Sequence, residues 1–171
     1  ANNAGGLVAY LTGGKISESF TNGEVKFTAD AWYLGGLVGL VTTSADIRNC
    51  YSTSKVTGAS GSQRIGGLIG KIDTSLLLNS YSVGLVTGGS GFQGAIIGES
   101  SSSTQSGNYY NSETSGAFTG LGTPKTTAEM KDIPNISINY TGWNFTTTIP
   151  YIWGIDGIKN SGYPFLIGVT P

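Results

Sequence analysis

Ten acidic residues, a single cysteine and no histidine are the whole stock from which this 171-residue chain could build acid–base or nucleophilic chemistry. Without an imidazole there is no Ser-His-Asp or Cys-His relay, and no histidine-bearing zinc site. Paired carboxylates can hydrolyse glycosides, but the fold must force them together, and here the acids are scattered. Glu24 aligns with Lys55 and Leu85 in neighbouring copies of a repeat, which marks a solvated face. Calcium loops of the D-x-D-x-D-G type are missing, and "WGIDGIKNSG" offers one carboxylate. Cys50 stands where other copies have Ser19 and Ser80, so it reads as a small packed thiol. The expectation is a non-enzyme with no catalytic, metal-binding or cofactor-binding residue.

Composition narrows the partners. Charged residues make up 11% of the chain, against roughly 25% in ordinary soluble domains, and the net charge is −1. Such a chain has no electrostatic reason to hold nucleic acid or an anionic membrane. No run of about 20 apolar residues is present, so no helical span is expected. The opening "ANNAGGLVAY" lacks a positive start and a long apolar run. The expectation is therefore a chain that begins after processing, or a piece of something longer.

What the residues do show is repetition. Glycine doublets at Gly5, Gly35 and Gly66, with the variant "GAIIG" at Gly94, recur after 30, 31 and 28 residues. Periods of this size mark solenoids or propellers, and the unit is too short for a four-stranded blade. Leu7, Leu37, Leu68 and Ile96 form one column, and Val8, Val38, Ile69 and Ile97 the next. Ala9, Gly39, Gly70 and Gly98 follow, then Leu11, Val41 and Ile72. Later come an Asn column (Asn49, Asn79, Asn108, with Glu18 first) and an aromatic column (Phe20, Tyr51, Tyr81, Tyr110). Short β-branched or aromatic runs bounded by Gly, Ser and Asn read as strands.

The expected architecture is all-β: a right-handed parallel β-helix of about four coils, starting near Gly5, Gly35, Gly66 and Gly94, with two or three strands per coil. Residues 1–118 would form the solenoid and 119–171 a C-terminal cap. Stacked coils place each column in register about 4.8 Å apart. The Asn column is then expected to pass amide hydrogen bonds between coils, and the aromatic column to stack. Strand parity predicts that Val8, Val38, Ile69 and Ile97 face outward as an apolar stripe. In the tail, Thr126 and Glu129 have capping-box spacing, so "TTAEMKD" predicts a short helix ended by Pro134. Trp143, Trp153, Tyr163, Phe165 and Leu166 would help cover the sheet edge of the last coil.

The columns "GGLVG…I.N.Y..G.V" resemble the GLUG repeat, named for its G-G-L-hydrophobic-G core. The similarity runs clearly from Gly5 to about Gly98 and extends to about Gly116. The tail "GLGTPKTTAEMKD…GWNF…WGI…GYPFL" resembles the segment that closes many such arrays. Membership would imply a secreted or cell-surface protein, adhesin-like, with no catalytic residues to carry over. The expected role is a rigid stalk or contact surface meeting a protein or glycan on another surface. Two other roles stay open: a filament subunit stacking on further copies through its open first coil, and a carbohydrate-binding module. Trp32 and Tyr33, which interrupt the repeat in the first loop, are the expected contact pair. Three sequons, at Asn135, Asn139 and Asn144, are candidate N-glycosylation sites.

Overall fold

The repeat turns more corners than its sequence suggested, because the first three copies are built from five short strands each and the fourth from four, where two or three were expected. The computed structural model describes residues 2–116, 119–145 and 152–169. The expected domain boundary at 118 falls outside that set. The first rank stacks Asn3–Gly5, Tyr33–Gly35, Arg64–Gly66 and Phe92–Gly94. The second stacks Val8–Thr12, Val38–Thr42, Ile69–Asp73 and Ile97–Ser101, and the third Lys15–Ser17, Asp46–Arg48, Leu76–Leu78 and Thr104–Ser106. A fourth joins Phe20–Thr21, Tyr51–Ser52, Tyr81–Ser82, Tyr109–Asn111 and Thr123–Lys125. A fifth joins Glu24–Lys26, Lys55–Thr57 and Val86–Thr87. All of these pairings are parallel, so the chain is a β-solenoid of about four turns.

The glycine doublet is a corner between the first two ranks. Leu37 and Val38 both donate their backbone N–H to the Leu68 carbonyl, at 2.8 and 3.1 Å. Leu68 and Ile69 do the same onto the Ile96 carbonyl, each at 2.9 Å. Two successive N–H groups aimed at one oxygen break the in–out alternation of a strand. Both columns therefore turn inward. Leu37, Val38, Leu68, Ile69, Ile96 and Ile97 are fully buried in one cluster with Val41, Ile47, Ile72 and Leu77. The expected outward stripe does not exist: Val38, Ile69 and Ile97 are core, and Val8 is half-buried against the same cluster. Parity does not carry across a corner.

Glycine is required there for space. A Cβ on Gly35 would collide with the Val38 carbonyl, and one on Gly67 with the Ala95 carbonyl and the Ser82 hydroxyl. The following small column has a related reason. A Cβ on Gly70 would lie 2.6 Å from the Leu34 backbone nitrogen, so the second rank lies flush against the first. Leu34 and Ile65 face away from this contact into a second apolar cluster with Val56 and Val86.

The fourth rank carries the aromatic column. Phe20, Tyr51 and Tyr81 stack with ring centroids 4.9 and 5.0 Å apart and planes within 8°. The next register partner of Tyr81 is Tyr109, not Tyr110, which instead pairs with Ser82 and packs against the interior. Counting back from the right tyrosine also moves the asparagines. Asn108 sits above Ser80, accepting from its N–H at 3.1 Å and donating to the Leu77 carbonyl at 2.8 Å. The true equivalents of Asn79 are Glu18, Asn49 and Gly107, and all four have left-handed φ, from 48° to 64°. No amide ladder links Asn49, Asn79 and Asn108. Asn tolerates the left-handed region better than most residues, and that is why the column exists. Asn79→Gly should leave the urea midpoint nearly unchanged, whereas Asn79→Ala should cost about 1–2 kcal/mol.

The tail covers more than an end. Thr123–Lys125 pairs with Tyr109–Asn111 and closes the upper edge of the fourth rank, as a cap should. Beyond it, the chain runs along the flank of the solenoid instead. Trp143, Trp153, Tyr140, Tyr163, Met130 and Leu166 form one cluster with Tyr51, Tyr81 and Tyr109. An antiparallel pair, Trp153–Gly154 with Phe165–Leu166, holds this cover. The capping box at Thr126 and Glu129 is formed, and the helix Thr127–Met130 follows. The helix stops at Lys131 before reaching Pro134, which lies in a 3-10 turn, Ile133–Asn135. A second short helix, Ile136–Asn139, follows it.

Candidate contact surface

The flush packing of the first two ranks leaves a crease outside, where their outward side chains meet. Along the first rank the outward column reads Asn3, Tyr33, Arg64, Phe92; along the second it includes Leu40, Lys71 and Glu99. Arg64 Nε donates to Glu99 Oε2 at 2.6 Å, tying one wall to the other, and Lys71 Nζ lies 2.6 Å from Glu99 Oε1. Partial burial alone would raise the Glu99 pKa. The hydrogen bonds from Lys71 and Arg64 outweigh it and hold the carboxyl below its ordinary value. The guanidinium also lies 5.8 Å from the Trp32 ring centroid and 5.7 Å from that of Tyr33.

Tyr33 is therefore a repeat position with Asn3 and Arg64 as register partners, not an interruption. Trp32, just before it, is 51% exposed, and Phe92 is 57% exposed. Beside Trp32 lies a recess of ≈ 440 Å³, lined by Asp30, Ala31, Trp32, Gly61 and Gln63. Asp30 Oδ1 accepts from the Gly61 N–H at 2.9 Å, and Gln63 Nε2 donates to the Gly61 carbonyl at 2.8 Å. Each side chain is fixed by one bond, which leaves Asp30 Oδ2 and Gln63 Oε1 to accept from a ligand. Sequence reasoning found Trp32 and Tyr33 but missed Arg64, Glu99 and Phe92. The repeat spacing, extended through Tyr33, would have found Arg64 and Phe92.

The remaining candidates separate by burial. Glu24 and Lys55 form an exposed ion pair at 3.3 Å, as their solvated column implied. Asn135 is exposed, but Asn139 is buried and accepts from Lys125 Nζ at 3.4 Å. Asn144 is half-buried, and Thr146 of its sequon lies outside the described residues. Among the described residues no cluster of three metal-ligating side chains occurs, and no helix is long and apolar enough to cross a membrane.

Cys50 is fully buried, with its Sγ 3.2 Å from the Arg48 carbonyl. Burial raises the thiol from its ordinary 9.0 to about 12, and burial likewise raises Tyr51 from 10.0 to about 12. Tyr81, Tyr109 and Tyr140 are raised for the same first reason. A proton bound more tightly in the folded state stabilises that state below the unfolded pKa. The contribution is then lost as pH rises toward the folded value. The chain should thus hold full stability to about pH 9 and unfold as the pH approaches 12. At pH 8 a thiol reagent should leave Cys50 unmodified until denaturant is added; rapid labelling of the native chain would contradict the packing.

Residues 30–57 match the GLUG motif. Over 125 residues the chain is 34% identical to a protein of Evansella cellulosilytica provisionally named a Gly-rich membrane protein. That similarity covers 70% of this chain and 14% of the relative, so the chain spans a small part of the relative's length. No solved structure matches.

Proposed function

From a chain that carries the GLUG motif and repeats it through a β-solenoid, we propose that it serves as a rigid structural and adhesive segment of a larger extracellular or cell-surface protein. The reading is non-enzymatic: the segment projects and makes contact, and it holds no cofactor. One observation carries it. Each coil is hydrogen-bonded to the next through up to five parallel ranks and through the corners between them. A body built that way is stiff along its stacking axis, because bending it breaks several ranks at once. A surface-associated motif and a relative named as a membrane protein support the location. Antibodies against the segment should label intact source cells; labelling only after permeabilisation would overturn the reading.

A further inference from the structure

We propose that the crease between the first two ranks is a carbohydrate-binding site, whose ligand is a neutral oligosaccharide of pyranose rings. The inference deepens the adhesive reading and rests on it only for its biological setting. Pyranose rings present flat C–H faces with hydroxyls around the rim. Their sites therefore combine exposed aromatic faces with fixed polar groups beside them. The crease and the recess that adjoins it at Trp32 together supply both. Trp32 is 51% exposed, while Trp143 and Trp153 are buried in the flank cluster, so the chain places a single tryptophan at the surface. Tyr33 and Phe92 lie in the same outward column two coils apart. Two coil rises are about 10 Å, the span of two rings in an extended sugar chain.

The polar groups are already in place. Arg64 is braced by Glu99, and Asp30 and Gln63 are each braced by Gly61. A ligand therefore has few side chains to order, which is the main avoidable cost of binding. The recess beside Trp32, ≈ 440 Å³, falls within the roughly 300–1,000 Å³ of small-molecule sites. Charge selects the class of sugar. Arg64 and Lys71 are opposed by Glu99 and Asp30, so an anionic glycan gains no net attraction. The ion pair of Arg64 with Glu99 would also have to break for it. Neutral hydroxyls can use the free oxygens of Asp30 and Gln63 with these pairs intact.

The test is a fluorescence titration of the intact chain with cellohexaose, mannohexaose and N-acetylchitohexaose, with heparin as a polyanion control. Since the other two tryptophans are buried, a change in emission reports on Trp32. At least one neutral hexasaccharide should give a saturable change, confirmed by calorimetry. Phe92→Ala and Arg64→Ala should each weaken binding at least tenfold, and Ile138→Ala, exposed on the second tail helix, should leave it unchanged. No saturable binding of any neutral hexasaccharide overturns the proposal. So does a response to heparin alone, or equal weakening by Ile138→Ala. Circular dichroism on each variant separates lost binding from lost fold. Failure here with surface labelling intact would leave the adhesive role standing and remove its carbohydrate ligand.

Discussion

Gly67→Ala should abolish folding or remove at least about 4 kcal/mol of stability, the range reserved for overpacking and strain at special sites. The added methyl would enter the space of the Ala95 carbonyl and the Ser82 hydroxyl. Neither neighbour can yield cheaply. Ala95 belongs to the next corner, whose Ile96 carbonyl already accepts from both Leu68 and Ile69. Ser82 is fully buried in the fourth rank. Positive φ is not involved here, so the cost is purely steric. The chain carries its own control: position 95 is the same corner in the fourth copy, and it is alanine. There the residue stacked next is Thr119, bonded through the Ala95 N–H at 2.9 Å, rather than another glycine corner. Ala95→Gly should therefore change the stability read from urea unfolding by no more than about 1 kcal/mol. If Gly67→Ala were as mild as Ala95→Gly, the corner packing would be wrong.

Trp153→Ala should cost about 3 kcal/mol and loosen the tail from the solenoid. Truncating a buried Trp or Phe typically costs about 3–5 kcal/mol. Trp153 stacks on Trp143 at 4.2 Å and meets Tyr81 and Tyr51 at 5.9 and 6.1 Å, so its loss opens the centre of the cluster. One term opposes this. The indole Nε1 is buried without a hydrogen-bond partner, and removing such a donor returns about 1–3 kcal/mol. The cavity term wins, but by less than usual. Trp153→Phe keeps most of the ring and drops the unpaired N–H, so it should lie within about 1 kcal/mol of the parent. A second readout follows. With the cover gone, Tyr51 should titrate nearer its ordinary 10.0 than the raised value of about 12.

The two variants probe the parts of the fold that the sequence revealed to different depths. The interval between doublets was enough for coil number, parallel stacking and most column identities, because in-register stacking writes the same residue type at the same place. The in–out assignment failed at Val8, Val38, Ile69 and Ile97, since alternation applies within a strand and each corner resets it. Sequence alignment puts Tyr110 in place of Tyr109, because Asn108 precedes Tyr110 by two residues as Asn79 precedes Tyr81. The anchor is a backbone conformation, which Gly107 supplies without resembling asparagine. The tail's aromatics were legible as a cover, but not which surface they cover. That depends on the aromatic column facing out of the solenoid, and a two-residue strand such as Tyr51–Ser52 carries no period from which to read it. The crease was half-visible: Trp32 stood out as an irregularity, while Arg64, Phe92 and Glu99 are joined to it only through register across 28 residues or more.

The coil-over-coil register underlies every one of these expectations, and the ring stack of Phe20, Tyr51 and Tyr81 reports it most directly. In a nuclear Overhauser spectrum of the chain with its aromatic residues isotopically labelled, ring protons of Tyr51 should show cross-peaks to both Phe20 and Tyr81, as centroids 4.9 and 5.0 Å apart require. A folded chain whose Tyr51 ring contacts neither would mean that the windings do not lie one above another, and the solenoid account would be wrong.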